Sequence, residues 1–144
     1  MHLLDTNLLI ALAWPQHVHH AQAHGWFHKV GHEAWATCPL TQVAFIRISS
    51  NPKIIPDAVS PREALAILKK ITALRGHHFW SDDVAPADTA VFASLSLVGH
   101  RQVTDAYLLA LAQQHKGKLA TLDNGVAELI QAHKDRARHV TLVE

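Results

Sequence analysis

Two kinds of segment alternate along the chain. Short apolar runs bounded by turn residues predict strands, and longer segments with apolar residues every three or four positions predict helices. The predicted strands are residues 2–4, 34–38, 77–80, 118–122 and 140–143. The predicted helices are residues 8–12, 17–30, 41–51, 60–75, 88–97, 106–115 and 126–133. Helices that separate successive strands indicate an α/β fold.

This alternation predicts a mostly parallel central sheet with helices on both faces, which is a three-layer α/β/α sandwich. The length of 144 residues suits one domain. No internal repeat, linker or low-complexity segment interrupts the pattern, so we expect a single domain over residues 1–144.

Polar residues at the predicted helix ends support these boundaries. Thr6 and Asn7 are suitable N-caps for the first helix, and Thr41 for the third. Ser60, followed by Pro61 and then by Glu63 two positions later, has the pattern of a capping box with proline in the first turn.

Composition narrows the classes of function. Apolar residues make up 49% of the chain, as in globular proteins. Thirteen Lys and Arg against twelve Asp and Glu give a formal charge of +1, so no overall basic charge signals nucleic-acid binding. The nearest candidates for a local basic patch are Arg47 with Lys53 and Lys116 with Lys118, although solvated surface charge is the commoner role.

The sequence also bears on location. It contains no apolar run long enough to cross a bilayer and no cleavable leader pattern, so we expect a soluble, cytoplasmic protein without membrane contact. The single cysteine, Cys38, excludes an internal disulfide and suits a buried thiol. His17, His20 and His24 share one face of the second predicted helix. No cysteine or nearby carboxylate completes a metal site there, which favours a structural or surface role.

Three aspartates stand out by their positions. Asp5 and Asp123 each follow a predicted strand, and Asp105 opens a predicted helix. Strand ends and helix starts share one edge of a parallel sheet, so the three side chains can converge there. A divalent cation relieves the repulsion between such carboxylates, and Mg²⁺ uses carboxylates, waters and substrate phosphate as ligands. This pattern favours metal-assisted hydrolysis of a phosphate ester, although aspartate is also common at turns and helix starts.

Four motifs resemble those of the PIN domain family, in the same order and with similar gaps. They are LLDTN at residues 3–7, TCPLTQVAFIR at 37–47, VTDAYLLALA at 103–112 and LATLD at 119–123. Within this family the chain is most similar to the VapC-type toxins of bacterial toxin–antitoxin pairs. The resemblance implies an α/β/α sandwich and an endoribonuclease that depends on Mg²⁺ or Mn²⁺. It also implies a cognate antitoxin whose tail blocks the acidic pocket, and a homodimer.

The resemblance assigns roles residue by residue. Asp5, Asp105 and Asp123 match the first, third and fourth acids of the family, which are catalytic and bind the metal. The family also has polar residues that hold the first acid or the waters on the metal in place. Thr6 or Asn7, and Thr104, match these positions.

The second family acid is missing. Ala44 stands where the family has a glutamate, which puts a second metal ion in doubt. Gln42 could supply a neutral oxygen instead, and Asp82 with Asp83 could supply an acid if their loop folds inward, although a solvated turn is the commoner arrangement. Arg47, one turn beyond Ala44, is predicted to contact substrate phosphate or the surroundings of the first acid.

The missing glutamate leaves an alternative function open. A catalytically weakened PIN-like domain would bind RNA or a protein partner without cleaving RNA. A nuclease for flapped DNA would use the same acids, but the chain lacks the additional DNA-gripping elements that such enzymes need.

Overall fold

A computed structural model describes residues 1–30 and 32–144 in full and the backbone alone of Gly31. The strands are β1 (His2–Leu4), β2 (Trp35–Thr37), β3 (His77–Phe79), β4 (Lys118–Thr121) and β5 (Val140–Leu142). The helices are α1 (Thr6–Ala13), α2 (His20–Lys29), α3 (Pro39–Ser49), α4 (Pro61–Thr72), α5 (Ala90–Ala93), α6 (Val103–Gln114), α7 (Asn124–Glu128) and α8 (Arg136–His139). Three short 3₁₀ turns are Gly31–Glu33, His100–Gln102 and His133–Asp135.

The five strands form one parallel sheet in the order β3-β2-β1-β4-β5. The first strand is therefore central, and its Leu3 pairs with Ala36 on one side and with Leu119 on the other. A parallel sheet needs cover on both faces, which explains why β1, β2 and β4, the three inner strands, are mostly buried. The predicted α/β sandwich is confirmed.

Two apolar cores flank the sheet. One contains Leu3 and Leu119 with the apolar side of α6, and the other contains Leu4 and Ala120 with the apolar sides of α1 and α3. Successive strand residues thus enter opposite cores, because side chains alternate across a sheet. This alternation produces the three layers and leaves polar residues at the strand ends.

Two predicted helix starts are wrong. The side chain of Asp5, not Thr6 or Asn7, caps α1, because it accepts a hydrogen bond from the Leu8 amide at 2.8 Å. Cys38, not Thr41, is the N-cap of α3. Proline fits the first helical turn, so the helix begins immediately after the strand.

Other boundaries were predicted less well. The second helix begins at His20 rather than at residue 17, and α5 ends after a single turn. The helix α8 lies in a stretch for which no helix was predicted, because a four-residue helix has no measurable apolar period. Within the described part of the chain, no helix is long and apolar enough to span a bilayer.

Candidate active site

The first site residue is Asp5, which leaves the central strand and enters α1. Its side chain is only 4% exposed. The Asp5 Oδ1 atom accepts a hydrogen bond from the Leu8 amide, and the Asp5 backbone amide donates to the Ala120 carbonyl at 3.0 Å. A carboxylate at this position is fixed by the strand on one side and the helix on the other.

A threonine of β4 holds the other oxygen of this carboxylate. The Thr121 hydroxyl donates a hydrogen bond to Asp5 Oδ2 and accepts one from the Asp123 amide at 3.0 Å. The Thr121 side chain is fully buried. Thr121 therefore connects two of the predicted acids, a role that the sequence analysis missed. Its only signal was a polar residue at the end of an apolar strand.

Asp123, which matches the fourth family acid, is the N-cap of α7. Its Oδ1 atom accepts the Gly125 amide proton at 2.8 Å, and the residue is exposed. A Cβ on Gly125 would lie 3.1 Å from that oxygen, so glycine leaves room for the cap. The exposed carboxylate stands at the rim of the site, where solvent and ligand reach it.

The third acid, Asp105, lies in the first turn of α6 and is half-buried. Burial, followed by the negative charges of Asp5 and Asp123, raises its pKa to about 6. Burial also raises the pKa of Asp5, and the negative charge of Asp123 adds to this rise. Hydrogen bonds to the Asp5 carboxylate, of which the bond from Thr121 has the largest effect, oppose it. The structure thus brings the three aspartates to one edge of the sheet, where their charges act on one another.

The donor chemistry of this edge fits a hydrated divalent ion. Carboxylate oxygens are hard ligands, and Mg²⁺ is commonly held by one or two of them while it keeps several waters. As the described side chains stand, no group of three His, Cys, Asp or Glu is close enough to hold an ion directly. The arrangement suits one or two carboxylate ligands, and direct ligation by all three stays a prediction.

The predicted supporting residues divide into two groups. Asn7 lines a cleft beside Asp123, while Thr6 and Thr104 lie next to the acids in sequence and are at least partly exposed. The Gln42 Nε2 atom donates to the hydroxyl of Thr37, the last residue of β2, at 2.9 Å, and the role of the Gln42 side-chain oxygen as a ligand stays a prediction.

Arg47 and the pair Asp82 and Asp83 are exposed, and contact of Arg47 with substrate phosphate stays a prediction. Arg47 is exposed in the last turn of α3, about 12 Å along the helix from the end nearest the acids. Asp82 and Asp83 are exposed, and Asp83 pairs with His115 at 3.3 Å. Because His115 caps the opposite end of α6 from Asp105, Asp83 follows the solvated alternative. Asp82 is also exposed but lies close to Cys38, where burial and then the charge of Asp82 raise the pKa of the thiol.

A cleft of about 520 Å³ adjoins Asp123 and has two histidines in its wall. Asn7 and Asp123 line it together with His17 and His19, which precede α2. The His19 amide donates to His17 Nδ1 at 3.1 Å, so this ring is held in place. The prediction that His17 lies on a helical face with His20 and His24 is wrong, because His17 precedes α2.

The other two histidines of that predicted face have structural contacts. The His20 ring lies 2.7 Å from the Ala11 carbonyl oxygen, and the His24 ring lies 3.1 Å from that of Leu12. Both rings therefore connect α2 to α1, as the structural interpretation predicted.

A sheet of this order with acids at its carboxyl edge defines a recognised class of domain. The family model of the PIN domain matches residues 2–131, and the chain belongs to this family.

Curated relatives place the chain more narrowly. It is 47% identical over 131 residues to Ribonuclease VapC38 of Mycobacterium tuberculosis (strain ATCC 25618 / H37Rv), covering 91% of each chain. It is 43% identical over 130 residues to Ribonuclease VapC39 of the same strain, covering 90% of this chain and 94% of the relative. The resemblance to VapC-type proteins is confirmed.

Solved structures confirm the fold. The chain resembles a structure of FitAcB from Neisseria gonorrhoeae with a TM-score of 0.65 and 19% identity, covering 97% of this chain and 96% of that one. It also resembles a structure of VapBC2 from Rickettsia felis that is bound to a DNA fragment from the VapBC2 promoter. The TM-score is 0.66 with 9% identity, and the match covers 99% of this chain and 98% of that one.

Proposed function

We propose that this protein is a toxin endoribonuclease that hydrolyses RNA phosphodiester bonds at the edge formed by Asp5, Asp105 and Asp123. Relatives up to 47% identical bear the name ribonuclease, which supports RNA as the substrate. The observation that carries the proposal is the position of three aspartates at the carboxyl edge of the sheet, where burial and the charges of Asp5 and Asp123 raise the pKa of Asp105 to about 6. Such mutually perturbed acids are typical of functional sites.

The three aspartates have different roles at this edge. Hydrogen bonds from the Leu8 amide and the Thr121 hydroxyl fix the Asp5 carboxylate, so its remaining lone pairs point in a defined direction. The exposed Asp123 carboxylate meets the ligand first. The Asp105 carboxylate, with a pKa of about 6, is largely ionised at neutral pH and can accept a proton.

The proposed cofactor is Mg²⁺ or Mn²⁺, held by one or two of these carboxylates. When bound, such an ion lowers the pKa of its water and neutralises charge on the phosphate. No acid comes from α3, whose sequence Pro39–Ser49 contains none. We therefore expect weak metal binding that is completed by substrate phosphate.

The proposed partners follow the family resemblance. A cognate antitoxin would neutralise the enzyme by placing a cationic tail among the acids, since arginine forms strong charge-assisted hydrogen bonds with carboxylates. The protein would form a homodimer and act in the cytoplasm, where its RNA substrate is found. Light scattering tests the dimer, and co-expression with the protein encoded immediately upstream tests the antitoxin.

The experiment that tests the activity is metal-dependent cleavage of a structured RNA. We expect cleavage in Mg²⁺ or Mn²⁺, none in EDTA, and loss of at least about a hundredfold for Asp105→Asn or Asp123→Asn. Asp57→Asn is the matched control, because it removes an exposed carboxylate in the connector between α3 and α4. Cleavage that survives EDTA or both aspartate changes would contradict the proposal.

The same assay separates the alternatives. Binding of RNA without turnover at any metal concentration would favour the weakened domain, above all if Ala44→Glu then restored cleavage. Preferential cleavage of a flapped DNA in competition with RNA would favour the DNA nuclease.

A further inference from the structure

A second cleft lies at the opposite edge of the sheet from the acids. It has a volume of about 480 Å³ and is formed around the amino ends of β1 and β4, where the Lys118 amide donates to the Met1 carbonyl at 3.0 Å. Its wall includes Lys116, Lys118, Arg138 and Trp26. We refer to it as the basic cleft.

Positive charge dominates this cleft. Three cationic side chains line it, no carboxylate does, and in the described part of the chain none of the three forms an ion pair. The Lys118 ammonium donates to the Ala137 carbonyl at 2.9 Å, which positions the charge without neutralising it. Unpaired cations gathered around a concave surface attract an anion.

An aromatic ring accompanies these cations. Trp26 is half-buried in the wall of the cleft, and the His2 ring meets it edge-to-face with centroids 5.2 Å apart. Cations that follow a phosphate backbone, combined with an aromatic ring for a base, are the usual elements of single-strand recognition.

The backbone of Lys116 is a separate observation at the same place. Its φ of 55° makes it the one non-glycine residue with positive φ in the described part of the chain. A glycine is the usual residue at such a helix end, and a side chain there is strained. Strain of this kind is retained where structure or function requires the side chain. Here the side chain is a cation at the basic cleft.

We propose that the basic cleft binds phosphate groups of single-stranded RNA and anchors the substrate at a second site. The inference rests on the proposed ribonuclease activity for its biological meaning. Lys118 begins β4 and Asp123 follows its end, five residues further along the chain, so the two sites are about 17 Å apart. A bound RNA would contact the basic cleft with a segment that is not cleaved.

The test is the binding of a labelled single-stranded RNA in EDTA, measured by fluorescence anisotropy over a series of salt concentrations. Lys116→Gln/Arg138→Gln should weaken binding at least about tenfold and reduce the slope of log K against log salt by about 1.4, since each phosphate contact contributes about 0.7. Lys69→Gln/Lys70→Gln is the matched control, because it removes two exposed cations of α4 outside the cleft. Equal losses in both double variants would overturn the proposal.

A single substitution separates binding from stability. Lys116→Gly removes the charge and relieves the strained backbone, so we expect a higher Tm together with weaker RNA binding. A purely structural role for Lys116 would leave RNA affinity unchanged, and that result would contradict the inference.

A competition experiment identifies the ligand, and the use of EDTA separates RNA binding from cleavage. Displacement of RNA by adenosine monophosphate at comparable concentrations would assign the basic cleft to free nucleotides and overturn the RNA proposal. Because binding is measured in EDTA, loss of affinity in the double variant stands even if no metal ever supports cleavage. Failure of the anchor and failure of the nuclease are therefore distinguishable.

Discussion

Replacement of Asp105 by asparagine should stabilise the protein while it abolishes activity. The aspartate is half-buried beside two other carboxylates, and its ionised form repels both. Asparagine has nearly the same shape and no charge, so the metal-free fold loses the cost of burying the charge and the repulsion from Asp5 and Asp123. The reaction loses the carboxylate that the proposed mechanism requires.

The magnitude follows from the pKa of this carboxyl group. Burial, Asp5 and Asp123 raise it from 3.8 to about 6. Fully transmitted, this difference would equal about 3 kcal/mol in the free energy of unfolding. Solvent screens a half-buried group, so we expect about 1 kcal/mol. In a chain of 144 residues this raises the Tm by about 3 °C.

The effect has a defined dependence on pH. The folded protein binds the Asp105 proton more tightly than the unfolded chain, because the folded pKa is the higher one. The stability from this proton is present below pH 3.8 and is lost as pH rises through about 6. The asparagine variant should therefore match the wild type near about pH 4 and exceed it near about pH 8.

Thermal unfolding in EDTA at both pH values measures this difference. Asp57→Asn, which removes an exposed carboxylate, serves as the control and should change neither Tm by more than about 1 °C. An Asp105→Asn protein that is less stable than the wild type at the higher pH would contradict the raised pKa of Asp105 on which this prediction rests. A gain in Tm of equal size at both pH values would contradict the prediction as well.

Three other outcomes are expected. Thr121→Val removes the hydroxyl that donates to Asp5 and should cost about 1.5–3 kcal/mol in urea unfolding; a cost below about 0.5 kcal/mol would contradict the contact. Gly117→Ala should lower the free energy of unfolding by about 1–3 kcal/mol, because its Cβ would lie 2.9 Å from the Met1 carbonyl oxygen. Gly25→Ala, which adds a Cβ in open space on a helix, should raise it by about 0.5–1 kcal/mol. Effects of the same sign would be inconsistent with this packing. Ala44→Glu should tighten Mg²⁺ binding roughly tenfold in calorimetry, and unchanged affinity would show that α3 does not face the ion.

The sequence alone determined the order of the five strands and the positions of the acids along the chain. Apolar runs at the strands and capping residues at the helix starts are local signals, since period and capping act over a few residues. They located β1 and Asp5 correctly. They did not show which residue caps α1, because Asp5, Thr6 and Asn7 have similar capping propensity.

Tertiary structure decided what the acids contact and where charge gathers. Thr121 and Asp5 are far apart in sequence and meet only because β4 pairs with β1. The basic cleft likewise combines Trp26, Lys116 and Arg138 from three separate helix ends. Contacts between residues distant in sequence depend on strand order and helix packing, which the local pattern of hydrophobic and polar residues does not specify. For this protein, the sequence defined the acids, and the folding of the sheet brought them together.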